Sequence, residues 1–346
     1  MSALPPAFRR LASSNLAAQF SEQIALAAAP LVAVLALGAT AAQTGYLQTA
    51  QTLPFLLLSL PAGVLADRLP RRTLMTSAEC VRAASLLALL ALLALGGALV
   101  GGIGAAAAYG LATLLSLLAA GLLAGLPPQA PRAAARRHLW HELRDGAAFV
   151  TGHPLLRPVL VTAVFFNLAW FVLQAVYVVY AVERLGLGAA GVGITLGVYG
   201  AGMLAGALAA PWLAGRLSFG ALTAAGPLCA LAASLILLST LALPSGLWAA
   251  AGFFLFGAGP ILWTIATTTL RQAITPNALL GRVSAVILTA TFGARPVGAL
   301  IGAALASRLG LEACLWVSSA GFAAQFVVLA ASPVPRLRSQ PEPVTG

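Results

Sequence analysis

Gly63-Val64-Leu65-Ala66-Asp67-Arg68-Leu69-Pro70-Arg71-Arg72 decides how this chain is read. One acid and three arginines crowd into ten residues between two long apolar runs. Arg-rich turns of this kind connect membrane crossings. Composition agrees: 60% of the residues are hydrophobic, 8% are charged, and the mean hydropathy is +0.97. A soluble domain carries about 25% charged residues, so this chain lacks the polar surface to face water. In lipid the backbone must satisfy its own hydrogen bonds, and the expected fold class is an all-α, polytopic membrane protein.

The formal charge of +11 does not point to nucleic acid, because the arginines sit between apolar runs with no accompanying aromatic-basic surface. All nineteen basic residues are Arg, which with the Ala and Gly content suggests a GC-rich bacterial genome and an inner-membrane protein. Cys80, Cys229 and Cys314 lie apart in apolar segments without metal or redox spacing. Arg9 and Arg10 precede an apolar run much longer than that of a signal peptide, so the run reads as a retained first helix.

A span needs about 20 apolar residues. That ruler gives crossings near residues 15–38 and 44–66, and a stretch from Ala83 to Leu126 with no charged residue. At 44 residues that stretch is too long for one helix and divides near Gly101–Gly104. A polar interlude follows, 127–154, in which Leu139, Leu143, Ala147 and Val150 share one face of an amphipathic helix expected along the membrane surface. Six more spans fall near 155–181, 188–214, 218–241, 246–271, 279–305 and 311–332. The expected organisation is a shortened four-helix bundle over 1–126, the linker over 127–154, a six-helix bundle over 155–332 and a disordered tail over 333–346. With ten crossings and both termini cytoplasmic, fifteen arginines fall inside and only Arg184 and Arg308 outside.

Transporters are often built from repeats. Leu65-Ala66-Asp67-Arg68-Leu69 matches Leu213-Ala214-Gly215-Arg216-Leu217, and Gly97-Ala98-Leu99-Val100-Gly101 matches Gly298-Ala299-Leu300-Ile301-Gly302. The two marks are 32 residues apart in the first copy and 85 in the second, so the first is shorter by 53, a helical hairpin's worth. Two repeats joined by a basic interlude resemble the major facilitator superfamily. Its signature between the second and third helices, G-x-L-a-D-R-x-x-R-R, is met at Gly63, Leu65, Asp67, Arg68, Arg71 and Arg72. The segments Phe8-Arg9-Arg10, 47–55, 152–157, 270–283 and 293–298 further resemble the branch of macrolide-efflux and enterobactin-export proteins. No counterpart exists here for that family's fourth helix and most of its fifth.

The resemblance implies that the opening loop is a gating latch whose acid pairs across the cytoplasmic interface; the alternative is that its arginines only fix topology. Glu22 stands near the middle of the first span with Gln19 and Gln23 beside it. A charge there costs about 2.5–3.5 kcal/mol, so Glu22 suits either proton coupling or a hydrogen bond to another helix. Asn167, Trp170, Gln174 and Tyr177 fall on one stripe of the fifth span and suggest a cavity for an amphipathic substrate. Arg295, beside Pro296, could answer Glu22 or an anionic substrate, and Arg82 could pair with Glu79 or reach toward the cytoplasm. His138, His141 and His153 all lie in the interlude, outside any proton relay.

The sequence offers no phosphate loop, nucleophile elbow or metal set, so no cofactor is expected and an enzyme is disfavoured. The expected function is a proton-coupled secondary exporter of amphipathic small molecules, of drug or siderophore type. The expected partners are the substrate, protons and the lipid bilayer, with no nucleic acid and with oligomeric state open. The alternative is a transport-incompetent remnant, or a membrane subunit that binds a partner.

Overall fold

The computed structural model describes residues 6–68, 73, 75–87, 103–125 and 139–342. It is helical throughout: α1 (Pro6–Leu35), α2 (Ala41–Arg68), α3 (75–87), α4 (Ile103–Ala124), α5 (Leu139–Gly152), α6 (Leu156–Glu183), α7 (Ala189–Ala214), α8 (Phe219–Ser239), α9 (Gly246–Ile274), α10 (Leu280–Leu309) and α11 (Leu311–Ala330). Helices α6 to α11 are long and apolar enough to cross a membrane by length and composition. Their ends agree closely with the six spans expected for the second bundle. The third expected span is described only over α3, and residues 88–102 lie outside the described residues.

The chain forms two compact units, and the division runs through α2. Unit 1 holds residues 1–39 and 58–136. Within it α1 and α4 run antiparallel, joined by hydroxyls on backbone carbonyls. Ser14 Oγ donates to the Ala119 carbonyl at 2.9 Å, Ser21 Oγ to the Ala112 carbonyl at 2.7 Å, and Ser21 and Ser116 hydroxyls meet at 2.8 Å. Ser14, Ala17, Ser21 and Ala28 are buried along one stripe of α1. Small side chains let the two backbones approach, and the hydroxyls add interhelical bonds. At the end of this seam Arg10 Nη1 donates to the Gly125 carbonyl at 2.7 Å, which accounts for α1 beginning well before the apolar run.

Unit 2 holds residues 40–57 and 137–346. Here α9 packs along α7 and α8, while α6 packs along α10 and α11. The α7–α9 seam depends on glycine: a Cβ at Gly202 would run into the Phe254 carbonyl, and one at Gly206 into the Ala258 carbonyl. The interior is aromatic, with Tyr177, Tyr180, Phe253, Phe256 and Phe322 fully buried.

Two expectations about the polar segments change. The apolar face of α5 is not turned to lipid along its length. Its Val150 is fully buried among Leu156, Leu270, Val283, Leu329 and Val334, and a Cβ at Gly146 would meet the Arg282 backbone at 2.8 Å. Arg282 Nη1 then pairs with Asp145 at 3.0 Å. An amphipathic helix buries its face against whichever apolar surface is nearest, and here that surface is the end of the bundle.

The tail is likewise ordered where the sequence reading expected disorder from residue 333. Val334–Arg336 form a 3-10 turn with Val334 fully buried. The Gly220 amide donates to the Leu337 carbonyl at 2.8 Å and the Phe219 amide to the Arg338 carbonyl at 3.3 Å. The first amides of a helix need acceptors from elsewhere, and α8 takes two of them from this tail. Residues 343–346 lie outside the described residues.

Candidate transport site

Consecutive helical residues turn by about 100°, so the α6 stripe is two lines about 60° apart. Asn167 and Gln174 form one line; Trp170 and Tyr177 form the other. The structure treats the lines differently. Trp170 stacks on Tyr199 at 5.3 Å and meets Phe256 edge-on at 5.0 Å. Tyr177 is fully buried, its hydroxyl donating to Thr195 Oγ1 at 2.6 Å. These two side chains hold α6 to α7 and α9 and belong to the packed core rather than to a cavity lining. Asn167 and Gln174 stay half-buried.

Asn167 is bound to Arg295. Its Nδ2 donates to the Ala163 carbonyl on its own helix at 2.9 Å, leaving Oδ1 to accept from Arg295 Nε at 3.2 Å. The guanidinium also lies 4.4 Å from the Phe292 ring centre and 5.5 Å from that of Phe171. A half-buried arginine in an apolar helix is thereby fixed at one edge and faced by rings, a contact favourable by about 0.5–2 kcal/mol.

The first half of α2 completes this region and was missed in the sequence. Thr44 Oγ1 donates to the Ala175 carbonyl of α6 at 2.7 Å, and Phe55 meets Phe292 of α10 at 5.6 Å. Between these contacts lie Gln48, Gln51 and Thr52, with Gln48 and Thr52 buried and Gln51 Oε1 enclosed without a hydrogen-bond partner. Their i, i+4, i+7, i+8 spacing with Thr44 was the available signal. The result in unit 2 is a belt of amides and one cation, with aromatic rings on either side, inside otherwise apolar helices.

In unit 1 the sequence candidates Gln19, Glu22 and Gln23 lie on α1, and Gly63, Asp67 and Arg68 on the last turns of α2. Their side chains, and Arg71 and Arg72 entirely, lie outside the described residues. Described there is an ion pair between Arg82 and Glu79 at 3.3 Å, with Arg82 Nη1 also donating to the Ala18 carbonyl of α1 at 3.1 Å. Among the described residues no group of three His, Cys, Asp or Glu side chains could hold a metal.

Outside the spans, His153 closes α5. Its Nδ1 accepts from the Leu155 amide at 3.1 Å, its ring lies 5.6 Å from Phe149, and burial holds its pKa below the ordinary 6.5.

Two solved structures share this architecture. A mutant of the nucleoside transporter NupG superposes with a TM-score of 0.66 at 10% identity, covering 94% of this chain and 99% of that one. A bacterial homologue of the iron transporter ferroportin, in its outward-facing state, superposes with a TM-score of 0.53 at 16% identity, covering 93% and 98%. At such identities the likeness concerns the fold. No curated protein is similar enough to match the chain. The model of the transmembrane secretion effector family matches residues 4–95 and 90–344. By that match over almost its whole length, the chain belongs to the transmembrane secretion effector family of major facilitator transporters, which are not enzymes.

Proposed function

We propose that this protein is a secondary active exporter of amphipathic small molecules, coupled to protons and working by alternating access in the bacterial inner membrane. The observation that carries this reading is the belt in unit 2: Arg295 fixed by Asn167, faced by Phe292 and Phe171, with the enclosed acceptor of Gln51 on α2. Polar groups at this depth are costly and mark substrate paths, and rings beside them suit a molecule with one apolar face. Glu22 would carry the coupling proton, and the Asp67 segment, with Gly63, Arg68, Arg71 and Arg72, would gate access. Gln19 and Gln23 would share the polar patch of Glu22. The chain would cross the membrane ten times, four in the first half and six in the second, with both termini in the cytoplasm.

The test is efflux of ethidium and erythromycin from a host stripped of its own pumps. Expression of the chain lowers accumulation of at least one, and Arg295→Ala or Gln51→Leu abolishes that effect at unchanged membrane abundance. Equal accumulation with and without the chain defeats the exporter reading.

A second reading has a specific observation behind it. The family model matches in two pieces meeting at residues 90–95, beside the place where the internal repeat is short by 53 residues. Loss of a helix pair there would leave a protein that binds substrate without moving it. Inserting a donor helix pair before Gly97 separates the two: efflux gained only by the lengthened chain favours the binding protein.

A further inference from the structure

We propose that the open face of α7 is a docking surface for a second copy of this chain, the two copies pairing there about a two-fold axis. With 22% of its apolar stretch buried, α7 is the barest of the six described spans; the others have 28–50% buried. Val192, Gly202, Gly206 and Ala210 are buried on one side of it. Opposite them, Gly193, Gly197, Ala201, Leu204 and Leu208 recur at helical spacing and are exposed, Leu204 at 62% and Leu208 at 72%. Among the described residues, a Cβ at Gly193, Gly197 or Gly200 would meet nothing within 4 Å.

Exposure alone would describe any helix against lipid, but the internal repeat assigns this face to protein. The register that sets Leu65 against Leu213 also sets Ala41-Ala42-Gln43-Thr44-Gly45 against Ala189-Ala190-Gly191-Val192-Gly193. Helices α2 and α7 are thus twins that begin at equivalent residues, Ala41 and Ala189. Within unit 2, α2 uses the face in question to hold α10. A Cβ at Gly45 would lie 2.6 Å from the Ala303 Cβ, and Leu56 Cδ1 stands 3.1 Å from the Cβ position of Gly293. In the shared register Gly45 becomes Gly193 and Leu56 becomes Leu204. Both positions that hold a helix on α2 are bare on α7. In the first copy the match to α10 starts only at Gly97, opposite Gly298, beside the shortfall of 53 residues. The bare face therefore marks a neighbour that the repeat calls for and the chain does not encode.

The chemistry of the face suits a copy of itself. Gly193, Gly197 and Ala201 form a small-xxx-small pattern, which lets two helix backbones approach within van der Waals contact. From Ala189 to Ala214 there is no charged residue, so a symmetric pairing brings no like charges together. A two-fold axis uses the same patch on both partners, and Gly197, at the centre of the bare face, would meet its own mate. The opposite face stays on α9 through Gly202 and Gly206, so pairing needs no rearrangement of unit 2. None of this depends on the exporter reading.

Single-molecule photobleaching of the full chain, labelled at its C-terminus and diluted into lipid vesicles, counts the copies in each particle. The wild type is expected to bleach in two steps. Gly197→Leu puts a side chain where a single copy has open space, so it keeps its helical circular-dichroism signal and bleaches in one step. Disulfide trapping locates the contact without relying on that variant. In a chain with Cys80, Cys229 and Cys314 replaced by alanine, Ala201→Cys links two copies on oxidation with copper phenanthroline. Val327→Cys, equally open to lipid on α11, does not. One-step bleaching of the wild type overturns the proposal and leaves the face to lipid or to another segment. Two-step bleaching that survives Gly197→Leu, or equal linking at the two cysteines, also overturns it, because the copies then meet elsewhere.

Discussion

Two seams, α1–α4 in unit 1 and α7–α9 in unit 2, bury helix against helix by different chemistry. In unit 1 the α1–α4 seam uses serine hydroxyls on opposing carbonyls, and the Glu79–Arg82 pair of α3 reaches the Ala18 carbonyl of α1. In unit 2 the α7–α9 seam is glycine against backbone carbonyl, backed by a cluster of aromatic rings that includes Trp170, Phe253, Phe256 and Phe322. Lipid supplies little hydrophobic drive for helices to associate, so association depends on close packing and hydrogen bonds. The α7–α9 seam takes the packing route and the α1–α4 seam relies more on the bonds; elsewhere unit 2 uses such bonds too, as where Ser318 Oγ donates to the Ala169 carbonyl at 2.9 Å. The difference suggests a closely packed, rigid frame along the α7–α9 seam and a seam tied by hydroxyls between α1 and α4.

The largest test of that contrast is Gly202→Leu. The new side chain meets the Phe254 carbonyl, a backbone atom that cannot swing aside. Overpacking of this kind costs about 3 kcal/mol, and a clash with backbone belongs at that upper end. The expected result is loss of the monodisperse gel-filtration peak, or a large fall in melting temperature. Tolerance of Gly202→Leu would remove the claim that the α7–α9 seam is a rigid frame.

Tyr177→Phe is the next in size. It removes the hydroxyl that donates to Thr195 at 2.6 Å inside the aromatic core and leaves the ring on Phe253 at 4.3 Å. The expected cost is about 1 kcal/mol, with unchanged transport, because Tyr177 is core and does not line the belt. A selective loss of efflux at normal stability would return Tyr177 to the substrate path.

Ser21→Ala probes the opposite unit. It deletes the bond to the Ala112 carbonyl and the contact with Ser116, yet interhelical side-chain bonds in membranes average about 0.6 kcal/mol. A small drop in melting temperature is expected, below that of Tyr177→Phe. A larger drop than Tyr177→Phe would mean the unit 1 seam depends on this single hydroxyl.

The sequence was informative where the physics is local. The span expected over 188–214 is α7 at Ala189–Ala214, because a run of about 20 apolar residues ended by glycine leaves little freedom. Asn167 and Arg295 were each conspicuous as polar groups in apolar helices. Their bond to each other depends on how α6 slides along α10, which hydropathy does not record. Trp170 and Tyr177 were grouped with Asn167 because a stripe drawn on a helix is wide, and about 60° separates a core position from a half-open one. The polar line of Gln48, Gln51 and Thr52 lies in the 47–55 segment, which carries only a resemblance at the level of sequence, because threonine in a span bonds readily to its own helix. Thr44 and Thr52 do so, donating to the Ala41 and Gln48 carbonyls. The placement of α5 and the tail needed the bundle end they cover, which no local pattern contains.

The smallest expected effect lies in the segment leading from α5 into the six-helix bundle. His153 accepts the Leu155 amide on Nδ1, so its ring is held neutral there, and burial lowers its pKa below 6.5. A group whose pKa is lowered on folding contributes stability that is complete above its unfolded value. That contribution is lost as pH falls below 6.5 toward the folded value. Over that window the wild type should lose slightly more thermal stability than His153→Ala, since only the wild type must give up the Nδ1 acceptor on protonation. The ring is partly open to solvent, so the difference is a small change in slope rather than a collapse. Parallel melting curves for the two proteins across that window would mean that the end of α5 is held by Val150 and the Asp145–Arg282 pair alone.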